Sequence, residues 1–398
     1  MIIRYAFENF GSFASRAEIS FAVDDKARPT DWVAETPLGR KVSKVLVLMG
    51  ANGSGKTTAL RALGFLPWFI SYSWAAPAEL AIPVAPHAAK AAEPCRFEIE
   101  FEAEGRLWRY FLACTRERVL EERLDVKQVR FRNLFDRRWS EDESKTVYSA
   151  KDKEFHMADR QVAEIRDNCS VIATAAQWGL PLAERLQRWF ITSFAPVSSN
   201  SATILFALDD ASRKFAENSR QKDTMQRLLT AWDLGLNGID IVETQIPNAP
   251  PDAPAPTASM WVPWGVHKSG DHAFKLPFRS ESSGTISAYV MLSRALPILE
   301  NGGVCTSDEI ENNLHPHMLE EFLDLFARTS TNPKNAQIIF STHSPEVLKY
   351  LEKYQIILIE KTDCESACYR LDSISGIRSD ENIYAKYLAG RYGAIPQF

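Results

Sequence analysis

The sequence has no apolar run long enough to cross a membrane and no secretory leader at its start. A membrane-spanning helix needs about 18 to 20 consecutive apolar residues, and every apolar stretch here is shorter. Met1–Tyr5 lacks the charged and apolar regions of a signal peptide. We therefore expect a cytoplasmic protein with no membrane partner.

Metal-binding cysteine pairs and an excess of positive charge are also missing. None of the six cysteines forms a C-x-x-C pair, which indicates reduced, mostly packed thiols. Cys364 and Cys368 are four residues apart, but no neighbouring His or Cys completes a zinc site. The net charge of −5 excludes nucleic-acid binding by bulk charge. Contact with nucleic acid would need a local basic patch.

The hydrophobic pattern predicts an α/β chain with a helical segment in its middle. The first twenty residues alternate as strands of a meander, and a β-hairpin is predicted around Glu104–Gly105. Helical spacing runs from about residue 155 to 235. Asn248–Pro263 holds five prolines and predicts an exposed loop, and α/β units return from about 276. We expect an N-terminal half at 1–150, a helical insertion at 151–245 and a C-terminal half at 246–398.

Gly50–Thr57 matches the phosphate-loop motif G-x-x-x-x-G-K-[ST] in full. The apolar run that ends at Met49 predicts a strand buried on both faces, and a helix is expected from Lys56 to about Phe65. Lys56 would contact the β- and γ-phosphates, and Thr57 would bind Mg²⁺. The cofactors expected are ATP and Mg²⁺, and the nucleotide contacts expected in this loop are Asn52, Gly53, Gly55, Lys56, Thr57 and Thr58.

Two polar segments at predicted strand ends offer candidates for a second magnesium ligand, a general base and a contact to the γ-phosphate. Asp308 suits a magnesium ligand, and the adjacent Glu309 suits a base that deprotonates the attacking water. The run before Asp308 is small and partly polar, so its strand should be short. Gln337–Phe340 predicts a second buried strand, after which His343 could hydrogen-bond to the γ-phosphate. The alternatives are a solvated acidic turn and a structural histidine.

Glu281–Ile286 precedes a predicted helix, Ser287 to Leu296. A serine and backbone N–H groups at a helix N-terminus form an anion site, although Ser-Ser-Gly-Thr alone is only a helix cap. Its place between the phosphate loop and Asp308 makes Ser282, Ser283 and Gly284 candidates for nucleotide contact.

Along the chain, the phosphate loop is followed by Ser282–Thr285, then by Asp308–Glu309 and then by His343. This order resembles that of the motifs in ABC-type ATPases, and more closely that in the SMC/RecF-like ATPases that lack long coiled coils. The opening Phe7–Phe13 looks like their N-F-x-S-F start. The run from Glu281 to Thr285 looks like a variant of their LSGGQ signature, and Asp308–Pro316 like their D-E-I-x-x-x-L-H-P segment. The stretch from Tyr387 to Pro396 is also similar to the same group.

This resemblance implies an ABC-type P-loop domain with an N-terminal β meander and an inserted, mainly helical lobe. It implies a homodimer or higher oligomer in which Ser282 and Gly284 of one copy touch the γ-phosphate held by Lys56 of the other. Asn312–His315 would lie in the dimer-facing loop, where His315 replaces the usual Asp of transporter domains. Such ATPases typically belong to anti-phage abortive-infection systems, beside an effector such as a toprim or HNH nuclease. A RecF-like DNA-repair ATPase and a transporter subunit are the alternatives.

The chain itself shows no acidic cluster or H-N-H spacing for nuclease chemistry, so cleavage would belong to the partner. One basic stretch, 127–139, alternates Lys and Arg with Phe131, Phe135 and Trp139. Basic residues mixed with aromatics can follow a nucleic-acid strand, so direct nucleic-acid binding stays open. A solvated hairpin with buried aromatic side chains is the interpretation that the pattern favours.

Overall fold

The computed structural model describes residues 1–25, 27, 30–197, 204–232, 234–245, 259–311, 316–378 and 381–395. The strands are β1 (Ile2–Glu8), β2 (Ala17–Ser20), β3 (Val33–Glu35), β4 (Lys41–Ser43), β5 (Val45–Met49), β6 (Cys95–Ala103), β7 (Arg106–Cys114), β8 (Val119–Lys127), β9 (Phe131–Ser140), β10 (Lys145–Ala150), β11 (Phe194–Pro196), β12 (Gly238–Gln245), β13 (Ser259–Ser269), β14 (His272–Pro277), β15 (Val304–Ser307), β16 (Gln337–Thr342), β17 (Ile356–Thr362) and β18 (Glu365–Arg370).

The α-helices lie between and after these strands. They are α1 (Lys56–Tyr72), α2 (Asp159–Ala163), α3 (Val171–Gln177), α4 (Pro181–Thr192), α5 (Ile204–Glu217), α6 (Ser219–Ala231), α7 (Ser283–Asn301), α8 (Pro316–Ala327) and α9 (Ile383–Leu388). The architecture confirms the predicted class, an α/β P-loop fold with an antiparallel N-terminal sheet and a mainly helical lobe.

The sheet that carries the phosphate loop has the strand order β11-β15-β16-β5-β17-β18. All its neighbouring pairs are parallel except β17–β18, which form an antiparallel hairpin. Every residue of β5 is buried, as predicted, because Leu46 and Leu48 face one core while Val45, Val47 and Met49 face the other. β15 has only four residues, as its polar sequence predicted. The carboxyl ends of β5, β15 and β16 meet at one edge, where the polar motifs follow.

The second sheet is antiparallel, with strand order β10-β9-β8-β7-β6-β1-β2. The predicted hairpin is present between β6 and β7, and its two turn residues, Glu104 and Gly105, both have positive φ. Such a two-residue turn matches the twist of the flanking strands. The N-terminal strands and this hairpin therefore form one continuous surface beside the parallel sheet.

Helix α1 and one glutamine join the two sheets. Ala59, Leu63 and Leu66 of α1 belong to a core shared with strands of both sheets. The fully buried Gln337 accepts a hydrogen bond from the Ile2 amide at 2.7 Å and donates to the Ile2 carbonyl at 3.0 Å. Because a buried amide side chain is costly unless it is bonded, this contact specifies how the first strand sits on β16.

Two helices are longer than the sequence predicted. Helix α1 continues past Phe65 to Tyr72 despite Pro67, because Leu66, Phe69 and Ile70 are fully buried and this burial offsets the lost helical hydrogen bond. Helix α7 begins at Ser283 rather than Ser287 and ends at Asn301 rather than Leu296. Ser282 caps its start, and burial of Ile298 and Leu299 carries it beyond Pro297.

The middle of the chain is less purely helical than expected. Strands β12, β13 and β14 form a three-stranded antiparallel sheet that the sequence analysis missed. The predicted loop at Asn248–Pro263 was wrong for residues 259–263, which pair with β12, because Met260, Trp261 and Val262 are residues that favour strands. Residues 246–258 lie outside the described part of the chain.

The six cysteines are free, and four of them are buried. Within the described ranges, no group of three or more His, Cys, Asp or Glu side chains could hold a metal ion. In the same ranges, no helix combines the length and the apolar character that crossing a bilayer requires.

Candidate functional site

The phosphate loop turns tightly between β5 and α1 and depends on its glycines. Gly53 and Gly55 have φ of +74° and +118°, a backbone region that L-residues rarely adopt. A Cβ atom on Gly50 would lie 2.1 Å from the Ile359 carbonyl oxygen, so β17 passes directly against the loop. The loop leads into α1 at Lys56, where the unpaired N–H groups of a helix start favour an anion.

Lys56 lies at the centre of the site. Its Nζ donates to the carbonyl oxygens of Gly50 and Ala51 at 2.8 and 3.0 Å. Burial lowers the pKa of Lys56, and the charges of Asp308, Glu309 and Glu311 act against this shift. These three carboxylates therefore help to keep a buried ammonium group charged.

Asp308 is held by two hydroxyl groups from distant parts of the chain. Thr57 Oγ1 donates to one carboxylate oxygen at 2.7 Å, and Ser341 Oγ donates to the other at 2.6 Å. The same Ser341 oxygen accepts a hydrogen bond from the Glu309 amide at 2.7 Å. Ser341 thus connects the end of β16 to the Asp308–Glu309 turn. The sequence did not reveal this role, although Ser341 stands two residues before His343 at the same strand end.

His343 bridges Glu309 and Lys56. Its Nδ1 is 3.4 Å from Lys56 Nζ and its Nε2 is 3.3 Å from a Glu309 carboxylate oxygen. Because an ammonium only donates and a carboxylate only accepts, these neighbours assign the tautomer with the proton on Nε2. Glu309 has φ of +48°, an unfavourable conformation for a residue with a side chain, of the kind that collects at functional sites.

These groups surround one cavity of about 300 Å³. It brings together eight of the residues that the sequence analysis proposed with two others, Lys361 and Ser12, and with Ser54 of the loop. The lining residues are Ser12, Asn52, Gly53, Ser54, Gly55, Lys56, Thr57, Thr58, Glu309, His343 and Lys361. Asp308 lies directly behind, bonded to Thr57.

The signature segment lies elsewhere on the surface. Ser282 caps α7 by accepting a hydrogen bond from the Thr285 amide at 3.1 Å, and both Ser282 and Ser283 are exposed. The preceding Glu281 contacts His267, with 2.8 Å between Oε1 and Nε2, so the three-stranded sheet holds the segment in place. Ser282, Ser283 and Gly284 are not among the described residues that line the phosphate cavity of their own chain.

The residues present suit magnesium bound together with a phosphate. Thr57 Oγ1 and Asp308 Oδ2 offer two oxygen atoms beside the phosphate loop. Mg²⁺ usually takes one or two protein oxygens and completes its shell with phosphate oxygens and water. A protein site of two ligands therefore fits this ion, whereas a closed structural metal site would need more.

The basic stretch from Lys127 to Trp139 covers the turn of the β8–β9 hairpin and most of β9. Arg137 is fully buried against Glu122, Arg138 pairs with Asp136, and Arg132 pairs with Asp152. Phe135 is also fully buried. The arrangement favours the hairpin interpretation of this pattern over a nucleic-acid groove. The other proposed interface segment, Asn312–His315, lies outside the described residues.

Sequence comparison relates the chain to one described family. The family "AAA domain, putative AbiEii toxin, Type IV TA system" matches residues 45–159 and 242–349, which together cover more than half of the chain. The matched ranges include the phosphate loop, the signature segment, the Asp308–Glu309 pair and His343. No curated protein matches the chain.

The comparison with solved structures matches the chain to SMC heads at low sequence identity. An SMC head bound to the C-terminal winged-helix domain of ScpA is 14% identical, covers 94% of this chain and 99% of its own, and has a TM-score of 0.48. The SMC head domain from Thermotoga maritima is 13% identical, with coverages of 93% and 98% and a TM-score of 0.42. A Pyrococcus furiosus Smc head with an extended coiled coil, bound to the C-terminal domain of ScpA, is 12% identical, with coverages of 94% and 97% and a TM-score of 0.43.

Proposed function

Because the chain belongs to the family of AAA domains described as "putative AbiEii toxin, Type IV TA system", we propose that it is an ATPase. Its two ATP sites would form between two copies arranged head to tail. The observation that carries this proposal is the bonded chain Thr57–Asp308–Ser341–Glu309–His343 beside Lys56. It joins a phosphate cradle, a metal-binding carboxylate and a base at one cavity.

Within one chain, Asn52, Gly53, Gly55 and Thr58 would bind the phosphates together with Lys56. Lys56 already donates its hydrogen bonds to loop carbonyls and lies beside three carboxylates, so it can transfer these bonds to β- and γ-phosphate oxygens. Thr57 and Asp308 would hold Mg²⁺, which, when bound, neutralises charge on the phosphate oxygens.

Glu309 would act as the general base toward water, with His343 as its partner. The carboxylate is partly exposed at the cavity wall, and His343 donates its Nε2 proton to it. This contact orients the carboxylate, and His343 is also placed to hydrogen-bond to the terminal phosphate. General-base catalysis of this kind typically contributes about 10²- to 10⁴-fold.

The second half of each site would come from a second copy. Ser282 and Ser283 are exposed at the start of α7 and do not line the cavity of their own chain. A helix start with exposed serine residues is suited to binding an anion. A head-to-tail dimer would place this surface over the phosphates held by Lys56 of the other copy.

In the cell, we propose that ATP-dependent closure of this dimer controls a partner effector in anti-phage defence. The family description, which names a toxin–antitoxin system, supports this role. A nuclease of toprim or HNH type is the proposed effector. The proposed division of the chain remains an N-terminal half at 1–150, a helical insertion lobe at 151–245 and a C-terminal half at 246–398. The RecF-like alternative, direct action on DNA, predicts salt-dependent DNA binding.

ATP hydrolysis tests the proposed site. Phosphate release should be abolished in Lys56→Ala because nucleotide binding is lost, and in Glu309→Gln although nucleotide binding remains. Glu117→Gln, a carboxylate change in the exposed turn between β7 and β8, is the matched control and should hydrolyse ATP normally. Hydrolysis by Glu309→Gln at the native rate would contradict the general-base assignment.

A further inference from the structure

Strand β17 continues past the phosphate loop and brings a second lysine to the site. Its register with β5 pairs Leu358 with Met49, the last residue before the loop. The next residue, Ile359, places its carbonyl oxygen against Gly50. Lys361 follows two residues later and therefore lies beside the loop at the open edge of the sheet.

The β17–β18 hairpin fixes this placement. Lys361 pairs with Ser366 across the hairpin, and Ser366 Oγ donates to the Ser54 carbonyl at 2.6 Å. The hydroxyl groups of Ser366 and Ser12 lie 2.7 Å apart. The hairpin thus contacts the phosphate loop and the chain after β1 at once. These contacts fix the position of the Lys361 backbone relative to the phosphate loop.

The Lys361 side chain is exposed and lines two neighbouring cavities. One is the phosphate cavity of about 300 Å³. The other, about 800 Å³, is lined by residues 51–54 of the loop, residues 359–364 of the hairpin, and Gly390 and 393–395 near the end of the described chain. Among the described residues, no side-chain hydrogen bond or ion pair involves the Lys361 ammonium group. Its ammonium group is therefore available to a ligand at the loop.

The negative charge of the site favours a second ammonium group near the phosphates. Asp308, Glu309 and Glu311 all act on the charge of Lys56, so three carboxylates face one ammonium group. A nucleotide adds several negative charges to the same place. A flexible lysine stem with a compact charge is suited to following a phosphate chain.

We propose that Lys361 is a second phosphate-binding lysine, which binds the phosphate chain of the nucleotide from within the same chain as Lys56. This inference rests on the proposed function and adds a residue to it. A carboxylate of a second copy is the other possible partner for this ammonium group. The shared cavity favours the nucleotide, because Lys361 lines it together with Lys56 and Thr57 of its own chain.

Equilibrium binding of ATP, ADP and AMP to the full chain tests the proposal. Lys361→Gln should weaken ATP binding about tenfold, the change that roughly 1.4 kcal/mol produces. Lys361→Arg keeps the charge and should stay within about twofold of native affinity. The control Lys151→Gln removes the same charge from an exposed position that lines neither cavity, and it should bind ATP as the native chain does.

Two further comparisons distinguish binding of Lys361 to the nucleotide from pairing of Lys361 with a carboxylate of a second copy. The loss in Lys361→Gln should be smaller for AMP than for ATP, because fewer phosphates remain to be bound. It should persist when Ser282→Arg is added to block the shared site. Unchanged ATP affinity, an equal loss for all three nucleotides, or a loss that disappears in the Ser282→Arg background would each overturn the proposal.

The binding results distinguish failure of the ATPase proposal from failure of the Lys361 proposal alone. If the native chain binds no nucleotide, or binds it equally well after Lys56→Ala, the ATPase proposal and the Lys361 proposal both fall. If Lys56→Ala abolishes binding while Lys361→Gln changes nothing, only the second lysine is refuted. Thermal unfolding of each variant shows whether the fold has been kept.

Discussion

Removing the Ser341 hydroxyl should impair catalysis far more than ATP binding. Ser341 is fully buried, and its oxygen donates to Asp308 and accepts from the Glu309 amide. Ser341→Ala leaves both partners without this bond. Glu309, whose positive φ needs support from its surroundings, loses the contact that fixes its backbone.

The magnitude follows from the two lost bonds. Leaving a buried polar group without a partner costs about 1–3 kcal/mol, which corresponds to roughly a 5- to 150-fold change in a rate or equilibrium. Part of this free energy lowers the stability of the fold. The rest raises the barrier to hydrolysis, because Glu309 is no longer held in its position. We expect kcat to fall about 10- to 100-fold, while KM for ATP changes little because the contacts of Lys56 are kept.

Steady-state phosphate release, measured over a range of ATP concentrations, gives kcat and KM separately. Ser293→Ala is the matched control, because Ser293 is also buried but its hydroxyl donates to Val290 within its own helix. Both variants should unfold at somewhat lower temperature, yet only Ser341→Ala should lose kcat. Equal kinetics for the two variants, or a raised KM with normal kcat in Ser341→Ala, would refute the positioning role.

Three other predictions concern the loop, the signature segment and the antiparallel sheet. Gly50→Ala should abolish ATP binding, because its Cβ would meet the Ile359 carbonyl, whereas Gly64→Ala, with nothing within 4 Å, should bind ATP normally in the same titration. Glu281→Gln should weaken ATP-dependent dimerisation, measured by sedimentation, about tenfold without changing ATP binding to a single chain. The reason is that the bond from Glu281 to His267 holds the signature segment. Glu300→Gln, at the other end of α7, is the control in the same sedimentation experiment. Burial would raise the pKa of Glu100, but hydrogen bonds and charges from Arg4 and Arg109 lower it overall. Its stabilising contribution is therefore present above the unfolded value of about 4.3 and is lost as pH falls through the lower folded pKa. In Glu100→Gln, urea unfolding should show less loss of stability over that acid range than in the native chain, and an equal loss would contradict the assignment.

The parts of the site that the sequence predicts are those that local spacing encodes. Glycine, lysine and threonine at fixed positions specify a loop between a buried strand and a helix, and the structure has that loop from Gly50 to Thr57. The Asp308–Glu309 turn and His343 follow two strands whose apolar or short runs are visible in the sequence. Parallel strands bring such ends together without further information.

The residues that the sequence did not reveal act across long distances in the chain. Ser341 bonds to Asp308 thirty-three positions away, and Ser366 bonds to Ser54 at a separation of 312. Serine and lysine are common residues, so neither type signals its partner before the strands are placed. The same limit explains the extension of α1 past Pro67, which depends on burial against two sheets rather than on local propensity.

The central claim is that two copies share each ATP site, and the solution mass of Glu309→Gln tests it most directly. Light scattering on a sizing column, with and without Mg-ATP, would follow a chain of 44.9 kDa. We predict that Mg-ATP shifts this variant to twice that mass, and that adding Ser282→Arg returns it to the mass of one chain. A single-chain mass at ATP concentrations where binding is saturated would contradict the shared site.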